Sequence, residues 1–262
     1  MPERVVLFSS ALPGWDAGRV IAAAAALGLP AVEWGAGPGH AIARPADGPR
    51  VAEQCARAGL RIAGLSVQDP AATLGAPRAA ARYLRLADAL GAPAVRLFAG
   101  AQRGGAMTPA LERSRAALDA LVDEAAAALL VETSPGTLAP SACLARELVA
   151  HQPPVRAGVL YDPGNTVIEG FLAPALAVAL LGAHLRHVHV KNIAWARAGG
   201  GWRWRRATLD GGLVDWPATL RALGGAGYGG AFSIDHLSAA ATRARLAAET
   251  GRLRELLAAA AG

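Results

Sequence analysis

Short runs rich in Val, Leu and Ile recur along the chain at "VVLF" (5–8), "AVEW" (31–34), "RIAGLS" (61–66), "AVRLF" (94–98), "LLVE" (129–132), "AGVLY" (157–161), "HVHVK" (187–191) and "FSID" (232–235). Their length and near-continuous apolar character predict eight buried strands of the parallel kind. Ala- and Leu-rich segments with helical spacing lie between them, among them "DAGRVIAAAAALG", "APRAAARYLRLADALG", "TPALERSRAALDALVDEAAAA" and "SACLARELVAHQ". In "ALGLPAVEW" and "ALGAPAVRL" a glycine closes the helical segment and the next strand begins within a few residues, as expected of a helix C-cap and a short connection.

Eight strands alternating with helices predict a single (β/α)8 TIM barrel over residues 1–262, because each parallel pair needs a crossover helix. The competitor is a doubly wound sheet, which "GAGPGH" (35–40) superficially favours. Pro38 and the missing third glycine make that stretch a loop rather than a dinucleotide fingerprint.

Composition agrees with a globular chain, since 53% of the residues are hydrophobic and 18% charged. The formal charge is +6, but the 25 arginines are scattered and only one lysine is present, so the basicity reads as a composition bias rather than a nucleic-acid surface. Cys55 and Cys143 stand far apart without paired spacing, which predicts free thiols and neither a disulfide framework nor a zinc ribbon. The first residues lack a secretory pattern and no apolar run reaches about 18 residues, so a cytoplasmic protein without a membrane partner is expected.

In a barrel the chemistry sits at the C-terminal ends of the strands. Polar residues close or follow several of these runs: Glu33 on the second, Arg96 on the fourth, Glu132 on the fifth, Asp162 after the sixth, His189 and Lys191 on the seventh, Asp235 on the eighth. Three carboxylates and one imidazole from Glu132, Asp162, Asp235 and His189 form an oxygen-rich donor set that suits one divalent metal, Mn, Mg, Co or Zn. Strand alternation puts His187, His189 and Lys191 on one face, with His189 as the ligand, His187 a layer deeper and Lys191 above it.

The pieces "VEWG", "VRLFAG", "VETSPGTLAPS", "YDPGN", "HVHVKN" and "GGLVDWPATLRALGGAGYGGAFSIDH" together resemble the xylose isomerase-like barrel superfamily, in its sugar phosphate isomerase and epimerase branch, over nearly the whole chain. The resemblance implies that Glu132, Asp162, His189 and Asp235 hold one divalent metal against a small sugar, keto-sugar or polyol. It implies further that Glu132 and Asp235 move a proton on opposite sides of the substrate while the metal stabilises the developing enediolate charge. Asp235 departs from the family's usual glutamate, and one methylene less retracts the carboxylate by roughly 1.5 Å. Asn165 stands where the family often has histidine, so it hydrogen-bonds a substrate hydroxyl without acid chemistry.

These departures keep a dehydratase or lyase, cleaving a glycoside or a carbon–carbon bond, beside the isomerase or epimerase. A non-catalytic binding barrel is the alternative of a different class. Lys191 reads as a slim active-site cation that polarises a substrate oxygen or, with its pKa lowered by burial, transfers a proton; the competing reading is a cation that only balances carboxylates. Glu33 and Arg96 read as substrate contacts or as members of structural ion pairs. The long segment 192–212, with Trp195, Trp202 and Trp204, predicts either a cover over the pocket, where Trp195 stacks on a ring, or a contact with a second copy in a homo-oligomer. A surface hairpin with its tryptophans packed on the barrel is the third reading.

Overall fold

Each predicted apolar run forms a strand: β1 (Val5–Phe8), β2 (Ala31–Ala36), β3 (Arg61–Val67), β4 (Ala94–Leu97), β5 (Ala128–Glu132), β6 (Ala157–Tyr161), β7 (Leu185–Val190) and β10 (Phe232–Ile234). In the computed structural model, which describes residues 2–102, 104–170, 172–237 and 242–260, these eight strands close a parallel barrel in the order β1-β10-β7-β6-β5-β4-β3-β2. Closure pairs Val5 with Phe232 and Leu7 with Ile234, and so joins the two ends of the chain. Leu7, Val95, Leu129, Val159 and Val188 are wholly excluded from solvent. Burial at this depth stabilises by about 1.5–3 kcal/mol per large aliphatic side chain.

The outer ring is built from α1 (Ala17–Ala26), α2 (Gly48–Arg57), α3 (Pro77–Leu90), α4 (Met107–Glu124), α5 (Ala142–Val149), α6 (Pro163–Glu169), α7 (Pro174–Leu181), α8 (Trp216–Gly225) and α9 (Arg243–Ala259). Asp16, Asp215 and Thr242 cap α1, α8 and α9 by accepting from backbone amides at the third residue on. Gly91 ends α3 in the left-handed conformation at φ 70°, and its N–H returns to the carbonyls of Ala87 and Asp88. Helical propensity extends α4 through the alanines at 125–128, but that helix stops at Glu124 and Ala128 already belongs to β5. The amide of Ala128 is taken by Pro93 O on the neighbouring chain segment, so sheet pairing overrides the helical propensity of alanine there.

A second departure concerns the end of β7. Lys191 lies just beyond this strand, between it and β8 (Asn192–Ala198), which pairs in antiparallel register with β9 (Gly201–Ala207). Segment 192–212 therefore contains a hairpin, turned at Gly199 and Gly200 with φ of 57° and 79°, the values a two-residue type I′ turn requires. Trp195 faces Trp204 and Arg197 faces Trp202 across it. Trp195, Trp202 and Trp204 are 38%, 63% and 49% exposed, so they do not pack away on the barrel as one of the three readings had it. Among the described residues no single helix is long and apolar enough to cross a membrane.

Candidate metal centre

Strand ends and helix starts together deliver the predicted donors to one place. Glu132 is the last residue of β5, Asp162 follows β6 as the N-cap of α6, and His189 lies one residue from the end of β7. One donor atom from each of these three lies within 4.8 Å of the other two, and all three residues are buried. The Nδ1 atom of His189 has no hydrogen-bond partner. It faces Glu132 Oε1 at 3.6 Å, Asp162 Oδ2 at 3.7 Å and Asp235 Oδ2 at 3.8 Å. Ligands held about 2.1 Å from a shared ion stand about 3.0–3.5 Å apart, so this spacing is only slightly wider than a bound divalent ion sets.

The other ring nitrogen is fully engaged. His189 Nε2 lies 3.0 Å from Glu33 Oε1, and His187 Nε2 lies 3.0 Å from Glu33 Oε2 and 2.7 Å from Ser233 Oγ. Ser66 Oγ donates to the same Glu33 carboxylate, which is 2% exposed. Phe8 stacks on the His189 ring with centroids 4.8 Å apart. Glu33 thus fixes the imidazole so that Nδ1 looks toward the other carboxylates, the arrangement by which an outer carboxylate orients a metal-binding histidine. Burial alone would raise the Glu33 pKa, but the two imidazoles hold it well below the usual carboxylate range. Burial alone would lower that of His189, but Glu33 and Asp235 keep it well above the ordinary imidazole value.

Arg96 and Asn165 brace Glu132 from two sides. Arg96 is 2% exposed, with Nε 3.0 Å from Glu132 Oε2 and Nη1 donating to Val67 O at 2.7 Å. Arg96 therefore pairs with a carboxylate, one of the two roles read from the sequence. Asn165 spends both amide hydrogens inside the protein, donating to Glu132 Oε1 at 3.1 Å and Thr133 O at 3.0 Å. Its backbone N–H donates to the capping oxygen Asp162 Oδ1 at 2.9 Å.

Lys191 is 7% exposed, and its Nζ lies 2.7 Å from both Asp162 Oδ2 and Asp235 Oδ2. Burial alone would lower its pKa, but Asp162, Asp235 and Glu132 raise it above the usual lysine value. The expectation of a lysine made acidic by burial is corrected accordingly: three carboxylates outweigh desolvation. Asp235 stands at the edge of the compact three-donor group, its Oδ2 3.8 Å from His189 Nδ1 and sharing the Lys191 ammonium with Asp162. Burial would raise its pKa, yet His236, Lys191 and His189 lower it.

Charge supports the fit of a divalent ion. Glu33, Glu132, Asp162 and Asp235 face two permanent cations, Arg96 and Lys191, so with His189 neutral the centre carries two uncompensated negative charges. Beside it, on the side of the loops that follow β3, β4 and β5, opens a crevice of about 1000 Å³ lined by Gln68, Phe98, Gly100, Arg113 and Thr137 among others. Phe98 connects the two regions, since the Arg96 guanidinium lies over its ring at 4.2 Å. Trp195 lies on the exposed hairpin and not among the crevice-lining residues. Sequence reasoning missed Ser66, Thr133, Gly164 and His236, small or ordinary polar residues whose importance comes only from what they touch.

A family profile described as xylose isomerase-like TIM barrel matches residues 21–256. The chain belongs to this family. Among solved structures, an L-ribulose 3-epimerase superposes with a TM-score of 0.78 at 18% identity, covering 98% of this chain and 95% of its own. The probable 3-DHS dehydratase AsbF of Bacillus anthracis, involved in petrobactin synthesis, gives 0.75 at 17% identity, covering 96% and 98%. A xylose isomerase-like TIM barrel protein from Mycobacterium smegmatis, solved in complex with magnesium, gives 0.67 at 16% identity, covering 94% and 89%. At these identities the likeness is one of fold. No curated protein matches the chain.

Proposed function

We propose that this xylose isomerase-like barrel is a divalent-metal-dependent isomerase or epimerase of a small sugar, keto-sugar or polyol-like substrate. The observation that carries the reading is the partnerless His189 Nδ1, buried and aimed at Glu132, Asp162 and Asp235. Those four residues would hold the ion, and Mn, Mg, Co and Zn all suit the donor set. A divalent ion there supplies Lewis acidity toward an oxygen beside the reacting carbon.

The protein's own residues do the rest. Glu132 ends β5 and Asp235 directly follows β10, and they serve as the proton-moving carboxylates, one removing the proton beside the carbonyl and the other returning one. Arg96 and Asn165 orient Glu132 and hold its charge, while Glu33 orients His189. Lys191 balances Asp162 and Asp235. The crevice beside Phe98 is lined by none of the four donor residues, and Trp195 stands on the hairpin outside it, so neither carries this reading.

A second reading, a dehydratase or lyase that begins with the same proton abstraction and then expels a leaving group, is favoured by Asn165. Both of its amide hydrogens are already donated within the protein, and an amide transfers no proton at ordinary pH.

The test is metal analysis of the purified protein and of Glu132→Gln and His189→Ala. Stoichiometric metal in the wild type and its loss in both variants is expected; a wild type that retains and rebinds no divalent ion would refute the metal-dependent reading and favour a binding barrel. Incubation of candidate keto-sugars in deuterated water then separates the two reactions. Label at the carbon beside the carbonyl in an isomeric product marks isomerisation, and a product that has lost that carbon's proton together with water or another leaving group marks elimination.

A further inference from the structure

Lys191 Nζ touches the same two oxygens, Asp162 Oδ2 and Asp235 Oδ2, that face the partnerless His189 Nδ1. An ammonium 2.7 Å from each is therefore bound to the atoms that would donate to a divalent ion. The position is built for it. A methyl group at Gly164 would stand 2.7 Å from Lys191 Cγ and 3.3 Å from Cε, so glycine at this point of α6 clears the path of the lysine stem. The backbone is pinned behind it, because Trp216 Nε1 donates to Lys191 O at 3.2 Å. The side chain is long and has four rotatable carbons, so the ammonium can withdraw without moving the barrel.

We propose that Lys191 is an internal competitor for the divalent-ion site. Its ammonium clamps Asp162 and Asp235 together when no ion is bound, and it gives up those oxygens as an ion enters. This inference rests on the metal-dependent reading above and goes beyond it. It explains why the only lysine of the chain stands here among 25 arginines: a compact point charge on a flexible stem can leave, whereas a planar guanidinium forked across two carboxylates is held by several hydrogen bonds. The device lets the barrel keep a buried carboxylate cluster folded without metal, at the cost of weaker ion binding. A purely structural clamp predicts the opposite sign, since removing it would leave the aspartates disordered and loosen the ion.

The test is Mn²⁺ titration calorimetry on the metal-free full-length protein and on Lys191→Met at one pH and ionic strength. The expected result is binding at least about tenfold tighter in the variant, because a positive charge a few ångströms from the ion has been removed. A larger Mn²⁺-induced rise in Tm is expected to accompany it. Equal or weaker binding in Lys191→Met overturns the inference while leaving the metal centre intact. Failure of both proteins to bind Mn²⁺ overturns the metal centre itself and the inference with it. If Lys191→Met does not fold with or without Mn²⁺, Lys191→Gln carries the test, since its amide removes the charge while keeping a hydrogen-bond donor for the two aspartates. Tighter Mn²⁺ binding than wild type supports the competitor, and unchanged or weaker binding overturns it.

Discussion

His189 Nε2 and Glu33 Oε1 meet at 3.0 Å across the barrel, although 156 residues separate them along the chain. Only barrel closure brings β2 opposite β7, so the bond ties the geometry of the candidate centre to the integrity of the whole fold. Both residues are almost wholly excluded from solvent, which makes the interaction stronger and its loss costlier than a surface pair.

Replacing Glu33 by Gln tests this relationship. The amide keeps the shape but cannot accept from both imidazoles, and it removes the negative charge that raises the basicity of His189. Metal affinity should fall by about 10- to 100-fold, the usual cost of losing an outer carboxylate partner. Far-UV circular dichroism should remain that of the wild type. Unchanged Mn²⁺ affinity would show that His189 needs no orienting partner.

The raised pKa of His189 makes ion binding pH-dependent. Because its folded value lies above the ordinary 6.5, His189 in the metal-free protein holds its second proton to higher pH than a free imidazole does. The pair with Glu33 therefore contributes stability that is fully present below pH 6.5 and is lost as pH rises through the higher folded value. A divalent ion requires Nδ1 free of its proton, so binding should be accompanied by proton release. Apparent affinity should keep rising with pH beyond 6.5 rather than levelling there. Mn²⁺ calorimetry in buffers of different ionisation enthalpy measures the release directly, and a buffer-independent heat would contradict it.

The strands were legible because parallel barrel strands are buried on both faces, so "AGVLY" and "LLVE" announce themselves as unbroken apolar runs. Glu132, Asp162 and His189 were legible for the complementary reason, being polar residues at or just beyond the ends of such runs. What Glu33 touches was not, because His187 and His189 reach it only through closure of the barrel. Nor was the clearance at Gly164, where the informative feature is a missing side chain beside Lys191. Ala125–Ala128 misled because propensity is local, whereas the β4–β5 pairing that claims Ala128 is not.

Asn192 closes the motif "HVHVKN" and anchors the hairpin. It is 2% exposed, and its side-chain amide donates to Leu209 O and Val214 O at 2.7 and 3.1 Å. Its carbonyl accepts from the amides of Ile193 and Val214, both at 2.9 Å. Gly212 is packed so tightly against it that a Cβ there would lie 2.0 Å from Asn192 Oδ1. Asn192→Ala leaves several buried backbone groups without partners and should destabilise the protein by about 2–4 kcal/mol. Urea unfolding measures this; a loss below about 0.5 kcal/mol would mean that water replaces the amide without penalty.

Arg96 offers the sharpest separation of structure from chemistry. With Nε 3.0 Å from Glu132 Oε2 and both side chains buried, its loss strands a carboxylate in the barrel interior. Arg96→Met should therefore cost about 3–5 kcal/mol in urea unfolding, as expected when one partner of a buried pair is removed. Arg96→Met combined with Glu132→Gln should recover much of that stability, because the uncompensated charge is gone, yet it should bind no metal. An additive double variant would instead mean that Arg96 acts through its packing on Phe98, where its guanidinium lies 4.2 Å from the ring centroid. Recovery of stability without recovery of ion binding would separate the role of Arg96 as counter-charge from the role of Glu132 as ligand.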